Sequence, residues 1–247
     1  MCGRYARRFR WRQLDRLVPL LSPEVELPAR FNIAPTQGAP VAAFDEAAGG
    51  AVLRTMRWGL IPSWAKDPAI GNSLINARAE TVDSKPAFRA AFKARRCLVP
   101  VSGFFEWEKL QGAKAKRPHY FYPAGEDLWL LAGLWERWDP PDGAPVESYT
   151  IITTGPNELL AKYHDRMPAI LAPEDARHWI APGADAAALK TLLQPFHAEQ
   201  MAEHAVSAVV NSPKHDGPEC IAPVDPQSHL QRDADLGGER GLWSESE

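Results

Sequence analysis

The chain has 247 residues, of which 45% are hydrophobic and 24% charged, which fits one large globular domain or two small ones. No run of about 18 apolar residues is present, so we expect no transmembrane helix, and the arginine-rich start leads us to expect no secretory signal. Three scattered cysteines are too few for a disulfide framework or a zinc site, so we expect no metal, no cofactor and a reducing, cytoplasmic location.

The charge of the chain is unevenly distributed. The net charge of −3 argues against nucleic acid as a partner. However, residues 1–123 hold 20 Lys and Arg against 10 Asp and Glu, whereas residues 124–247 hold 8 against 21. Such asymmetry is typical of a chain whose basic half binds an anionic partner. Two oppositely charged faces that attract each other within one fold explain it equally well.

The predicted elements are mostly short strands, with a few helices between them. Helices are predicted over 10–21, 85–96, 155–163, 173–180 and 184–193. Strands are predicted over 41–44, 51–58, 97–101, 104–108, 119–122, 128–135, 149–154 and 206–210, with an extended loop over 31–36 and a hairpin loop over 111–114. This order predicts an α+β fold, a single domain with a mostly antiparallel, barrel-like β core and flanking helices. From residue 226 the chain is polar and acidic, and we expect a disordered tail over 226–247.

The second residue has distinctive reactivity. If Met1 is removed, Cys2 carries a free α-amine beside its own thiol, a pair that no internal cysteine offers. An α-amine has a pKa near ~7.7–8.0, so a fair fraction is neutral and nucleophilic at cell pH. The amine can condense with an aldehyde to an imine, and the thiol can then close a thiazolidine ring. A chance small residue at position 2 is the alternative.

Three further segments carry groups suited to chemistry. Asn76 offers an amide donor and acceptor two residues before Arg78, although a helix cap with a surface arginine would look the same. Glu106 lies among aromatic residues, where desolvation raises a carboxyl pKa, unless it is a solvated residue of an edge strand. His164 can donate or accept a proton near neutral pH, or simply cap a helix.

Aromatic and basic residues suggest a surface for nucleic acid. Trp58 and Trp64 flank one loop and could stack on unpaired bases, although most tryptophans pack in the core. Arg4, Arg78 and Lys85 could neutralise phosphates. We assign no role to the remaining histidines, His119 among them.

The motifs occur in an order that resembles one family. These segments are Cys2-Gly3-Arg4-Tyr5, Phe31-Asn32-Ile33-Ala34-Pro35, Trp58-Gly59-Leu60-Ile61-Pro62, Asn76-Ala77-Arg78-Ala79-Glu80, Gly103-Phe104-Phe105-Glu106-Trp107 and His164-Asp165-Arg166-Met167-Pro168. Over residues 1–225 the chain resembles the SOS response-associated peptidase (SRAP) family, the abasic-site processing proteins. Each segment alone is weak evidence for the family, but the ordered set of segments is specific to it.

The resemblance implies a function and roles for the site residues. It implies a monomer that binds single-stranded DNA and captures the aldehyde of an abasic site on Cys2 as a thiazolidine. Asn76 would position the N-terminal residue, Glu106 would shuttle protons, and His164 would assist imine formation and ring opening. Arg4 and Arg78 would bind flanking phosphates, with Trp58 or Trp64 supporting unstacked bases. Slow reversal, strand cleavage and self-removal of Met1 would accompany this activity.

Three other functions fit parts of the sequence. An N-terminal-nucleophile glutamine amidotransferase also begins with cysteine after loss of methionine, but it leaves Glu106 and His164 without a role. A thiol peptidase would use Cys2, His164 and Asn76, as Cys–His–Asn sites do on other folds. A binding module for single-stranded DNA would need no covalent step.

Overall fold

The computed structural model describes residues 2–110, 112, 115–125 and 128–225. The predicted tail over 226–247 and most of the predicted 111–114 loop lie outside these ranges. The strands are β1 (Tyr5–Arg7), β2 (Arg30–Ile33), β3 (Gly38–Asp45), β4 (Gly50–Trp58), β5 (Asn76–Arg78), β6 (Arg96–Val101), β7 (Gly103–Lys109), β8 (Lys116–Pro123), β9 (Trp129–Trp138), β10 (Val146–Thr154), β11 (Met167–Pro168), β12 (Ile170–Leu171) and β13 (Met201–Ala205). The α-helices are α1 (Trp11–Leu17), α2 (Arg89–Ala94), α3 (Pro173–Ile180) and α4 (Ala186–Thr191).

A closed ring of five strands forms the centre of the molecule. The ring runs β10, β4, β3, β6 and β9 and closes where β9 pairs with β10. Only the β10–β4 contact in this ring is parallel, so the predicted mostly antiparallel, barrel-like core is confirmed. A second sheet, in the order β13, β8, β7, β1 and β2, carries the N-terminal strand.

Alternation along the strands separates two packed layers. Val41 and Val99 pack in one cluster with Tyr5 and Phe104 of the second sheet. Leu98, the neighbour of Val99, faces the other way in the cluster that also contains residues of all four helices. This period of two is what a sheet covered on both faces requires.

Some predicted elements differ from those observed. Residues 30–33 form β2 rather than a loop, because this segment pairs with β1. Residues 155–163 hold only a 3₁₀ turn at Leu160–Lys162, which Asn157 caps by accepting the Leu160 N–H at 2.9 Å. The closing strand is β13, and Ala208–Asn211 is a 3₁₀ helix that Ser207 caps.

Within the described ranges, no helix is long and apolar enough to cross a membrane. The same ranges contain no group of three or more His, Cys, Asp or Glu side chains that could hold a metal ion.

Gly59 should be sensitive to substitution because it fixes the loop after β4. Its φ is +113°, and an added Cβ would lie 2.5 Å from the Gly71 carbonyl oxygen. Gly49, at φ +74° in the β3–β4 turn, has nothing within 4 Å of the same position. We expect Gly59→Ala to lower the free energy of unfolding by roughly 3 kcal/mol, against about 1 kcal/mol for Gly49→Ala. Urea unfolding measures both, and equal losses would contradict this account of the loop.

Candidate functional site

Cys2 lies three residues before β1, which holds the N-terminal end in place by pairing with β2 on one side and β7 on the other. Its side chain is fully buried, and Sγ points to the Arg4 carbonyl oxygen at 4.0 Å. Burial, followed by the negative charge of Glu106, raises the pKa of the Cys2 thiol to about 12. The thiol is therefore neutral at cell pH.

Asn76 is directed at the same point from a different part of the chain. It begins β5, which lies parallel to β10, and its Nδ2 donates to the Cys2 carbonyl oxygen at 2.8 Å. Its Oδ1 is buried and has no hydrogen-bond partner among the described residues. An unsatisfied buried acceptor costs about 1–3 kcal/mol, so this oxygen is suited to an N–H or O–H that a ligand brings.

Glu106 supplies the carboxyl group of the site. It lies in β7 with only 3% of its surface exposed, because the alternation of this strand turns it inward. Burial raises the pKa of Glu106, and neighbouring positive charge partly opposes that shift. The carboxyl therefore exchanges a proton more readily near neutral pH than an exposed glutamate does.

His164 follows the 3₁₀ turn at Leu160–Lys162 and stays partly exposed, at 29% of its side chain. Its Nδ1 accepts the Arg166 backbone N–H at 3.0 Å, and Asp165 Oδ1 lies 2.9 Å from the same nitrogen. The neutral ring thus carries its proton on Nε2, whereas the cationic ring donates from Nδ1 to Asp165. Both forms have a partner, which suits a group that gains and loses protons.

Arg166 ties the segments of Asn76 and His164 together. Its guanidinium forms a two-point ion pair with Glu80, at 2.5 and 2.9 Å, and donates to the Thr153 carbonyl oxygen of β10 at 2.5 Å. A two-point arginine–carboxylate pair is among the more rigid side-chain contacts. The arrangement therefore fixes β5 and the His164 loop on opposite sides of the end of β10.

A groove with basic and aromatic lining lies next to this site. Its volume is about 560 Å³, and Trp64, Arg78 and Lys85 line it together with apolar atoms that include Phe88. The side chains of Arg78 and Asn76 share one face of β5, since residues two apart in a strand point the same way. Trp64 is 59% exposed, which is unusual for so large an apolar side chain. The groove thus combines two positive charges with an exposed ring.

A family model described as SOS response associated peptidase (SRAP) matches residues 1–213. The chain belongs to the SRAP family. The match covers the whole of the site described above, and the resemblance predicted from the ordered motifs is confirmed.

Relatives of this SRAP chain are found in bacteria and vertebrates. Abasic site processing protein YoqW of Bacillus subtilis (strain 168) is 41% identical over 227 residues, which cover 90% of this chain and 99% of the relative. Abasic site processing protein HMCES of Pongo abelii is 34% identical over 253 residues, covering 87% and 68%. A crystal structure of a protein from Bacteroides thetaiotaomicron has a TM-score of 0.72 at 30% identity, covering 79% of this chain and 85% of that one.

Two of the predicted DNA contacts of this SRAP domain need correction or refinement. Trp58 is fully buried, with Nε1 donating to the Ile75 carbonyl oxygen at 2.9 Å and its ring centroid 5.1 Å from that of Tyr5. A ring without exposed surface cannot stack on a base, so the prediction for Trp58 is wrong. Arg4 uses Nη1 to bind Asn32 Oδ1 at 2.7 Å and the Val210 carbonyl oxygen at 2.8 Å, and its phosphate contact stays a prediction.

Sequence reasoning missed a second polar cluster beside the SRAP site. His119, which was assigned no role, is buried in β8 directly opposite Glu106 of β7. Its ring nitrogens contact carboxylates of Glu203 and Glu108. The β7–β8 register places His119 opposite Glu106, and the sequence alone does not specify that register.

Proposed function

We propose that this SRAP protein binds abasic sites in single-stranded DNA as a monomer and captures their aldehyde on Cys2 after loss of Met1. The observation that carries the proposal is the hydrogen bond from Asn76 Nδ2 to the Cys2 carbonyl, beside the buried Glu106. The printed names of the relatives, abasic site processing proteins, favour the same substrate. The covalent bond would shield the lesion during the response to DNA damage.

The reaction needs an amine first and a thiol second. The neutral α-amine of Cys2 attacks the aldehyde carbon of the ring-opened sugar, and the resulting carbinolamine loses one water to give an imine. The thiol then adds across the C=N bond, its proton passes to nitrogen, and a thiazolidine ring results. A neutral thiol suits this order, because the thiol is not the first nucleophile. Its raised pKa, caused by burial, is thus compatible with the route.

Glu106 and His164 would move the protons of this sequence. In its ionised form Glu106 accepts a proton from the attacking amine, and in its protonated form it donates to the departing hydroxyl. Burial raises its pKa, so the protonated form persists to a higher pH than in an exposed glutamate. His164 would assist water loss and sugar-ring opening, and the reverse steps would give slow release or strand cleavage. Removal of Met1 by the same groups would precede this sequence.

The groove beside the site would hold the DNA strand. Arg78 and Lys85 would bind phosphates, and Trp64 would stack on a base next to the abasic position. An abasic sugar has no base to recognise, so neighbouring bases and the backbone must supply the affinity. The aldehyde then supplies the selectivity.

The geometry favours this function over a thiol peptidase. In a Cys–His–Asn site, the thiolate is the nucleophile and the asparagine orients the histidine. Here Asn76 donates instead to the Cys2 carbonyl oxygen. Nδ1 of His164 contacts the Arg166 backbone N–H and the Asp165 carboxylate, and not Asn76. A glutamine amidotransferase would release ammonia from glutamine, which an ammonia assay detects.

A crosslinking gel tests the proposal. Purified protein is mixed with a single-stranded oligonucleotide that carries one abasic site, and a heat-stable covalent band is expected. Reducing the aldehyde with borohydride before mixing should remove the band, since the reacting carbonyl is then an alcohol. An intact oligonucleotide of the same length is the matched control. The absence of any covalent band with the unreduced abasic strand would overturn the proposal and favour the non-covalent binding module.

Trp64→Ala should weaken reversible DNA binding. Stacking on one base is worth about 1–3 kcal/mol, so we expect the dissociation constant to rise about 10-fold. Fluorescence anisotropy in a Cys2→Ala background, with the aldehyde of the abasic strand reduced beforehand, measures binding without any covalent step. Leu21→Ala is the matched control, because Leu21 is equally exposed, at 59%, and lies outside the groove. Equal affinities of the Trp64 and Leu21 variants would exclude the groove as the DNA path.

A further inference from the structure

A partly buried network of ionisable side chains, centred on the buried His119, lies directly behind the candidate site. Nδ1 of His119 is 2.8 Å from Glu203 Oε2, and Nε2 is 3.3 Å from Glu108 Oε2. Tyr163 donates its hydroxyl to the other oxygen of Glu203 at 2.9 Å, and its ring centroid lies 4.6 Å from that of His119. Arg117 adds a positive charge, 3.5 Å from Glu108. The network therefore connects β7, β8, β13 and the segment before His164.

Removing such groups from water costs free energy, and filling space does not require them. His119 is only 6% exposed, and burying charged groups costs several kcal/mol unless each one is paired. An apolar cluster of similar volume would stabilise the fold at least as well. A role in holding neighbouring segments in position would explain why polar side chains occupy this place.

Tyr163 connects this network to the catalytic histidine. It immediately precedes His164, and the backbone N–H groups of both residues donate to the same acceptor, the Leu160 carbonyl oxygen, at 2.9 Å each. The Tyr163 ring also packs edge-on against Phe121, with centroids 5.1 Å apart. Burial, then the contact with Glu203, raises the pKa of the Tyr163 hydroxyl, so it stays protonated and keeps donating.

The other end of the network reaches the second catalytic group. His119 and Glu106 are directly opposed in the antiparallel β7–β8 pair, so their side chains leave the same face about 4.5–5.5 Å apart at Cβ. Glu108, two residues along β7, shares that face and contacts His119. One rigid set of contacts thus runs from the strand of Glu106 to the backbone of His164.

We propose that Tyr163 is a positioning residue for His164, anchored through Glu203 and His119 to the strand pair that carries Glu106. The anchor sets the separation of the two proton-transfer groups across the site. Without the Tyr163 hydroxyl, the loop keeps its ring packing but loses its polar attachment. His164 then samples positions from which proton transfer is slow. The inference rests on the proposed function, because it concerns the rate of the covalent step.

Tyr163→Phe tests the inference. We expect the maximal crosslinking rate at saturating abasic DNA to fall about 10-fold, since small misplacements of a catalytic group are costly. The DNA concentration that gives half the maximal rate should not change, because Tyr163 lies outside the DNA groove. Tyr122→Phe is the matched control, a half-buried tyrosine of β8 that stacks on Tyr120 on the opposite face of the sheet. It should crosslink at the wild-type rate.

A second background separates positioning from a general loss of structure. In a His164→Ala protein, Tyr163→Phe should have no further effect, because the residue that it positions is gone. An equal 10-fold loss in that background would overturn the inference, as would a wild-type rate for Tyr163→Phe alone. If Tyr163→Phe fails to fold, Glu203→Gln removes the charge that the tyrosine contacts and should show the same dependence on His164. No adduct from the wild-type protein would instead overturn the proposed function itself.

Discussion

Cys2→Ala is expected to abolish the covalent adduct with abasic DNA, a loss of at least about 1,000-fold in rate. The variant keeps a free α-amine and can still form an imine, but it has no thiol to close the ring. An imine hydrolyses in water and does not survive heating, so the stable band should vanish. Quantifying the band over time at saturating DNA measures the loss.

Two controls isolate the chemistry of the N-terminal residue. Cys97→Ala removes a thiol that is buried in the barrel and should leave the adduct unchanged. Chemical blocking of the α-amine in the wild-type protein should remove the adduct although the thiol is present. A heat-stable adduct that persists in Cys2→Ala would show that another nucleophile is used and would contradict the proposed reaction.

Glu106→Gln is expected to slow crosslinking by about 100-fold, the lower end of what a positioned acid–base group contributes. Glutamine has the same shape and can still accept a hydrogen bond, but it cannot take a proton from the amine. Half-saturation with DNA should be unchanged, because Glu106 is buried away from the groove. Glu174→Gln, an exposed substitution in α3, is the matched control and should react at the wild-type rate.

The pH dependence follows from the raised pKa of Glu106. Because burial raises this pKa, the carboxyl stays protonated to a higher pH than an exposed glutamate does. The rate of a step that needs the carboxylate should therefore rise as pH increases through the raised pKa. This rising limb of the pH–rate profile should be absent from Glu106→Gln, because glutamine has no carboxyl group to ionise. An identical pH profile for both proteins would assign the limb to another group.

The same shift has an opposite effect on stability. A carboxyl group whose pKa is raised on folding binds its proton more tightly in the folded protein than in the unfolded chain. Its ionisation destabilises the fold, and this cost appears as pH rises from the unfolded pKa through the folded pKa. Glu106→Gln should therefore raise the free energy of unfolding at neutral pH while it lowers the rate. That combination excludes misfolding as the reason for the lost activity.

Much of the fold follows from local sequence pattern. Strands were predicted over 41–44 and 51–58, which lie in β3 and β4, and Gly49 between them has the positive φ that the turn needs. Helix α3 was predicted from Pro173 to Ile180, with the proline in its first turn. The strand over 206–210 was wrong because a local Ser207 cap competes with strand pairing there.

The site residues that belong to the ordered motifs were predictable from the sequence. Residues whose position depends on pairing between distant strands were not. Cys2, Asn76 and Glu106 were selected from three segments, and the fold brings them together. Trp58 and Trp64 flank the same loop and look alike in sequence, yet one is fully buried and the other is 59% exposed. Trp58 is buried because the barrel packs against β1 at this point, where the Trp58 ring contacts Tyr5. His119 was passed over because its importance comes from its cross-strand partner.

The most direct test of the account is the identity of the bond between protein and DNA. The adduct is digested with protease and nuclease, and the modified peptide is sequenced by tandem mass spectrometry. We expect an N-terminal peptide that begins at Cys2, lacks Met1 and carries the sugar with the loss of one water. A modified lysine, a modified internal cysteine, or a crosslinked peptide that still begins with Met1 would contradict it.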